Sequence, residues 1–282
     1  MDRHPRADTK SSGGQAACIN TRMATYYINL ERSDARRARM NEMLGRSGLE
    51  YQRVPAVDGR DLTLPINDFD ERGYRLRHGR KPNPFEIGCY LSHVECARRL
   101  LESQKAHALI LEDDVVFPPD MIALLNAALE NNELWDLLRL STVNRGHKYA
   151  VKKLNATRSL AVSLTREKGS GAYVINRRAA AWIMEGLRPM RLPFDLAFDS
   201  EQFVGLKALF VAPVPVHQTA DRQSLIQNSL SSYRLSRWNY LTVLPYRSWY
   251  ETTRFLSRLV QLMAWKFGPR TSMGKTGQNS PV

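Results

Sequence analysis

The sequence predicts an α/β fold, a mostly parallel sheet flanked by helices. Two observations carry that expectation. "TYYIN" (25–29), the helical stretch "DARRARMNEML" and "YQRVPAV" (51–57) follow one another in the order strand, helix, strand. Together they span about 35 residues, the length of a crossover unit joining parallel strands. "HALILE" (107–112) is apolar without alternation, which suits a central parallel strand covered on both faces.

Residues 1–22 are polar, bear Gly and Ser, and show no periodicity, so they are read as a disordered tail. After "TYYIN", Ser33 is placed to cap a helix that ends near Gly45 or Gly48. A polar segment, 58–82, precedes Asn83, Pro84 and Glu86, which supply an N-cap, a first-turn proline and the acid of a capping box. Tyr90, Leu91, Val94, Ala97, Leu100 and Leu101 then recur at helical spacing. "PPD" opens a further helix over 121–129. "WDLLRL" (135–140), "AYVIN" (172–176) and "LFVAPVPV" (209–216) read as strands, with the helix "RRAAAWIME" between the last two. Three segments result: a tail to residue 22, a sheet domain over 23–221, and a basic, aromatic-rich helical extension over 222–282.

The chain has 282 residues, 43% of them hydrophobic, enough for a sizeable core. Its 41 Lys and Arg exceed 28 Asp and Glu, a net charge of +13. From Arg222 onward there are nine Lys or Arg and one acid, Glu251, so +8 of that charge lies in the extension. Cys18, Cys89 and Cys96 are odd in number, and the last two would lie about 10.5 Å apart along a helix, too far for a disulfide. A reducing compartment is expected. No apolar run suits a secretory signal or a membrane span, so a cytoplasmic protein is expected.

In "LILEDDVVF" (109–117), Glu112, Asp113 and Asp114 stand where a buried strand ends. Ligands of open α/β sheets bind beyond the carboxyl ends of strands. Side chains alternate, so Glu112 and Asp114 would share one side and Asp113 face the other. An acid-x-acid pair can grip Mg²⁺ or Mn²⁺, whose shell is completed by water and by phosphate oxygens, such as those of a nucleotide diphosphate. The alternative is that these acids solvate a loop and favour the next helix through its dipole.

Five blocks in order resemble glycosyltransferase family 25: "YYINLERSDARRARM", "YQRVPAVDG", "FEIGCYLSHVECARRL", "ALILEDDVVF" and "GSGAYVINRRAA". The resemblance runs from about Tyr26 to Gln218. It implies a Rossmann-like sheet of the GT-A type and inverting transfer of a hexose, most readily galactose, from a UDP-sugar to a lipopolysaccharide or other glycan acceptor. It also implies that Glu112 and Asp114 hold Mn²⁺ or Mg²⁺ against the diphosphate, Glu replacing the first acid of the commoner "DxD" form. His217 is a further candidate ligand.

Inverting transfer needs a base for the acceptor hydroxyl. "RLPFDLAFDSEQF" offers Asp195, Asp199 and Glu201; Asp195 matches the family's "P-x-D" position, though it also suits a helix N-cap. Asn29 and Arg32, at the end of the first strand, suit the donor nucleotide. Arg36 is read as a solvated helix residue. Asp58 can accept from uridine or simply make an Asp-Gly turn. Ser92 and His93 match the family's "SH" pair, with a core histidine as the alternative reading. Asp113, Gly169, Gly171 and Gln218 complete the expected donor site.

In the extension, Phe255, Leu256, Leu259, Val260, Met263 and Phe267 form a helical stripe, with Arg254 and Arg258 off it. Basic and aromatic residues together suit an anionic membrane presenting a lipid-linked oligosaccharide acceptor, on the inner face of the plasma membrane. The alternatives are a helix docked on the sheet domain and a nucleic-acid binder, the latter disfavoured because no nucleic-acid motif is present. A catalytically silent family member is the remaining alternative.

Overall fold

The computed structural model describes residues 9–144, 146–219, 233, 238 and 240–267. An eight-stranded sheet forms the centre, in the order β2 (Gln52–Pro55), β1 (Met23–Asn29), β3 (His107–Glu112), β8 (Ala172–Asn176), β5 (Leu137–Arg139), β9 (Ala208–Ala212), β7 (Ser159–Ser163), β6 (Lys148–Lys153). The pairings make β2, β1, β3, β5, β9 and β6 run one way, with β8 and β7 against them. The sheet is thus mostly parallel in direction. A separate ribbon pairs β4 (Val115–Val116) with β10 (His217–Gln218).

Alternation along the buried strands divides the core in two. Ala108 and Ile110 of β3 pack with Tyr26 and Ile28 of β1, against α4 (Pro84–Glu102), α6 (Arg177–Glu185) and α7 (Phe194–Ala197). Leu109 and Leu111, with Tyr27, pack on the other face against α1 (Thr9–Arg22), α2 (Asp34–Ser47) and α5 (Met121–Leu129). A strand buried on both sides cannot alternate polar residues, hence the apolar run.

Several local readings need correction. Residues 9–22 form α1, with Ala16 and Ile19 buried against the second core, so the tail read as disordered is helical over that span. Its Gly and Ser content hid two apolar positions. Asn83 caps α4 by accepting from the Phe85 N–H at 3.1 Å, yet Glu86 closes no capping box: it is buried and accepts from the Tyr74 hydroxyl of α3 (Glu71–His78). The hairpin β6–β7 was unread, because "KYAVKK" carries three lysines and little apolar pattern.

The extension contains α8 (Tyr240–Phe267), which docks on α3, β6, β7 and a short 3-10 helix at Glu201–Val204. Its contact with the sheet domain joins buried Val243, Tyr250 and Leu262 to two arginines: Arg258 reaches Asp199 at 2.8 Å and Glu201 at 2.5 Å, and Arg254 reaches Asp199 at 2.9 Å. Arg139 completes the cluster at 3.2 Å from Asp199, and all five groups are buried. A helix docked partly through its charges leaves an apolar stripe outside. Among the described residues no helix is long and apolar enough to cross a membrane.

Candidate active site

Glu112 keeps the phase of Ala108 and Ile110, so it faces α4. There its Oε1 accepts from the Ser170 hydroxyl at 2.7 Å and lies 3.4 Å from Nε2 of the buried His93. Ser170 has one proton and donates it to Glu112, so His93 carries its own proton on Nε2, which faces both. Nδ1 of His93 is then the acceptor for the Tyr173 hydroxyl at 2.9 Å. Phe194 stacks on the imidazole with ring centroids 4.2 Å apart, fixing its plane. Burial raises the Glu112 carboxyl, but the hydrogen bonds from His93 and the Ser170 hydroxyl, with the charge of Arg36, together hold it below the usual range.

Beyond β3 the chain turns into the β4–β10 ribbon, whose register sets Gln218 opposite Val115. The Gln218 amide Nε2 donates to Glu112 Oε2 at 3.2 Å and to Asp114 Oδ1 at 3.3 Å. One N–H₂ group therefore stands between two carboxylates. Burial, then the charges of Glu112 and Asp113, push the Asp114 carboxyl up to about 6. Asp113 points the other way, accepting from Asn29 Nδ2 at 2.6 Å and from Arg36 at 2.9 Å. Arg36 is thus half-buried against Asp113 rather than solvated.

The glycines shape the same place. Gly169 has φ of +99°, a left-handed backbone that glycine adopts at least cost. At Gly171 a Cβ would approach Gln218 Nε2 to 3.1 Å and Ser141 Oγ to 3.3 Å, so a side chain there would press on the amide that bridges the acids.

The expected base candidates separate. Asp195 lies in the first turn of α7, partly exposed, with Pro193 rather than Asp195 at the cap position. Burial pushes its carboxyl up, Lys168 and Arg139 oppose the shift, and the Glu112 charge adds to it. Asp195 therefore lies toward Glu112, one residue from the Phe194 ring that stacks on His93. Asp199 and Glu201 do not: both are buried in the arginine cluster, so the expectation that either is the base is withdrawn.

Other expected residues have plainer roles. Ser92 accepts from the Val57 N–H at 2.9 Å and donates to the Gly88 carbonyl at 2.7 Å, joining α4 to the loop after β2. Arg32 pairs with Asp58, whose Oδ1 also accepts from the Arg60 N–H at 3.0 Å, an Asx turn. His217 is exposed on β10, and its neighbour Gln218, not His217, reaches the acids. Ser170, Tyr173 and Lys168 went unremarked as site residues, although all three lie in or beside the quoted "GSGAYVIN" block.

A sequence model described as glycosyltransferase family 25 (LPS biosynthesis protein) matches residues 23–198, more than half of the chain. The chain belongs to glycosyltransferase family 25. Among curated relatives, a "Glycosyltransferase 25 family member" of Drosophila pseudoobscura pseudoobscura is 35% identical over 114 residues, covering 36% of this chain and 18% of the relative. "Procollagen galactosyltransferase 2" of Homo sapiens is 31% identical over 122 residues, 40% of this chain and 20% of that protein. "Inactive glycosyltransferase 25 family member 3" of Mus musculus is 31% identical over 146 residues, 46% of this chain and 24% of that protein. The match spans between 18% and 24% of the length of these three relatives. Among solved structures, A197 from STIV aligns with 71% of this chain and 86% of its own at 12% identity and a TM-score of 0.41, too slight a likeness to carry an argument. In this family 25 chain, the match takes in Asn29, Glu112, Asp114, Gly171 and Asp195, while Gln218 lies beyond it.

Proposed function

We propose that this chain is an inverting hexosyltransferase that moves a hexose, galactose foremost, from a UDP-sugar to a saccharide acceptor such as a lipopolysaccharide glycan. The observation that carries the reading is the pair Glu112 and Asp114, joined at the Gln218 amide beyond the end of β3. Arg36 pairs with Asp113 on the other side of the strand end, and burial, followed by the charges of Glu112 and Asp113, raises the Asp114 carboxyl. The pair's donor set, all oxygen, fits Mn²⁺ or Mg²⁺. Glu112 and Asp114 would hold the ion, and Gln218 could offer its Oε1 after an amide rotation. When bound, a divalent cation supplies Lewis-acid stabilisation to the departing diphosphate.

The remaining chemistry belongs to side chains. Asp195 takes the proton from the acceptor hydroxyl at its carboxylate as that oxygen forms a bond to the anomeric carbon. The bond from that carbon to the diphosphate oxygen breaks on the opposite side, which inverts the centre. A carboxylate made more basic by burial is suited to this proton transfer near neutral pH. His93, Ser170 and Tyr173 hold Glu112 in one rotamer, and Asn29 with Arg36 holds Asp113 away from the pair.

The test is turnover of UDP-galactose and UDP-glucose with Mn²⁺ and a soluble saccharide acceptor. Asp114→Asn and Asp195→Asn should each lower kcat by about 10²- to 10⁴-fold, and chelation of metal should abolish turnover. Full turnover by Asp114→Asn would remove the metal assignment, and full turnover by Asp195→Asn would remove the base.

A further inference from the structure

Helix α8 is built inside out. Val243, Tyr250, Arg254, Arg258 and Leu262 form its buried stripe, at spacings of seven, four, four and four residues. Arg258 is 3% exposed and its charge is held by Asp199 and Glu201. The opposite stripe, spaced seven, four, three and four, is Trp249, Leu256, Val260, Met263 and Phe267, with Val260 69% and Phe267 76% exposed. A helix that only needed to pack on this domain would bury the aliphatic stripe and solvate the arginines. Large apolar groups in one contiguous row mark a surface that meets something other than water.

We propose that this face of α8 lies on an anionic lipid bilayer, parallel to its plane. The helix has 28 residues, and the row from Trp249 to Phe267 runs roughly 27 Å along it at 1.5 Å per residue. It is not apolar enough to span, so it would rest in the headgroup region. Charge selects the occupant. With Arg254 and Arg258 engaged inside, the remaining bases of the segment include Arg234 and Arg237 before the helix and Lys266, Arg270 and Lys275 at and after its end. The one acid, Glu251, pairs with Arg254 and, at 3.2 Å, with Arg166. An apolar row in a segment that carries +8 of the chain's net charge of +13 complements a negatively charged membrane. A second copy of the chain would bring like charge against like charge. Nucleic acid would leave the aliphatic row without a partner, and Trp249 is already stacked on Phe203 at 5.0 Å.

A cavity of about 210 Å³ lies between α8 and the sheet domain, its wall including Arg77, Arg191, Tyr246, Trp249 and Tyr250. It is separate from the acids: Glu112, Asp114 and Asp195 do not line it. The inference stands on the exposed row and the charge of its segment, and does not rest on the transfer reaction.

Flotation of the full chain with vesicles tests it, comparing phosphatidylethanolamine–phosphatidylglycerol vesicles with phosphatidylcholine vesicles. The double variant Leu256→Glu, Val260→Glu changes only exposed positions, so its thermal midpoint should match the wild type. The wild type should float with the anionic vesicles, the double variant at least about tenfold less, and retention should weaken with salt. Three results would overturn the proposal: no flotation of the wild type, equal flotation of the variant, or a concentration-dependent dimer in solution that the variant abolishes.

Discussion

At the scale of single residues, burial decides what each ionisable group contributes. His78 and His107 are buried, which pushes their imidazoles down to about 3 and about 4, from an ordinary 6.5. Their folded values lie below the unfolded one, so between these limits the unfolded chain binds more protons. Stability is then full above pH 6.5 and is lost as pH falls towards 3. Chemical denaturation at pH 7 and pH 4 should show a loss on the order of a few kcal/mol, and His78→Gln should reduce it. An identical pH slope in that variant would contradict the assignment. Asp114 and Asp195 are shifted the opposite way, upward, because burial disfavours an anion as it disfavours an imidazolium. The Glu112–Asp114 pair is legible as acids at a strand end, but charges there are commonplace, and only the family 25 blocks around it favour a metal over a solvated loop. The place of Gln218 between the acids is not legible, because the contact joins positions 106 and 104 apart in sequence.

Among elements, α8 is the least typical. Its arginines enter the domain to meet Asp199 and Glu201, and its Tyr250 hydroxyl donates to the Leu196 carbonyl at 2.9 Å, one residue from Asp195. The helix therefore braces the turn that carries the proposed base. Removing one partner of a buried ion pair leaves a charge uncompensated, at a cost of about 3–5 kcal/mol. Asp199→Asn should lower stability by that amount, while a double-mutant cycle with Arg258→Met should recover part of the loss. If the two changes add without coupling, the cluster is not a structural unit. The strands β1, β3, β5, β8 and β9 and the helices α2, α4, α5 and α6 could be read from periodicity and caps. By contrast, α1 and the β6–β7 hairpin could not, since Gly, Ser and Lys mask their few buried positions. Asp199 and Glu201 stand beside the favoured Asp195 as candidates for a similar reason: their arginine partners on α8 lie 55 to 59 residues downstream.

For the whole molecule, the parts align around the carboxyl end of β3. The parallel strands deliver Asn29 and Glu112 to one edge, the β4–β10 ribbon adds Asp114 and Gln218, and α7 carries Asp195 next to the Phe194 ring that stacks on His93. The proposed hexosyl transfer rests on family 25 membership together with this convergence, and the proposed membrane face of α8 is a separate surface. The claim on which the account depends most is that Glu112 and Asp114 take a divalent cation. Its direct measurement is Mn²⁺ binding, followed by electron paramagnetic resonance with UDP present, in the wild type and in Asp114→Asn. The account predicts one bound Mn²⁺ in the wild type and at least about hundredfold weaker binding in the variant, since a ligating carboxylate is removed. Equal binding in both proteins, or none in either, would contradict it.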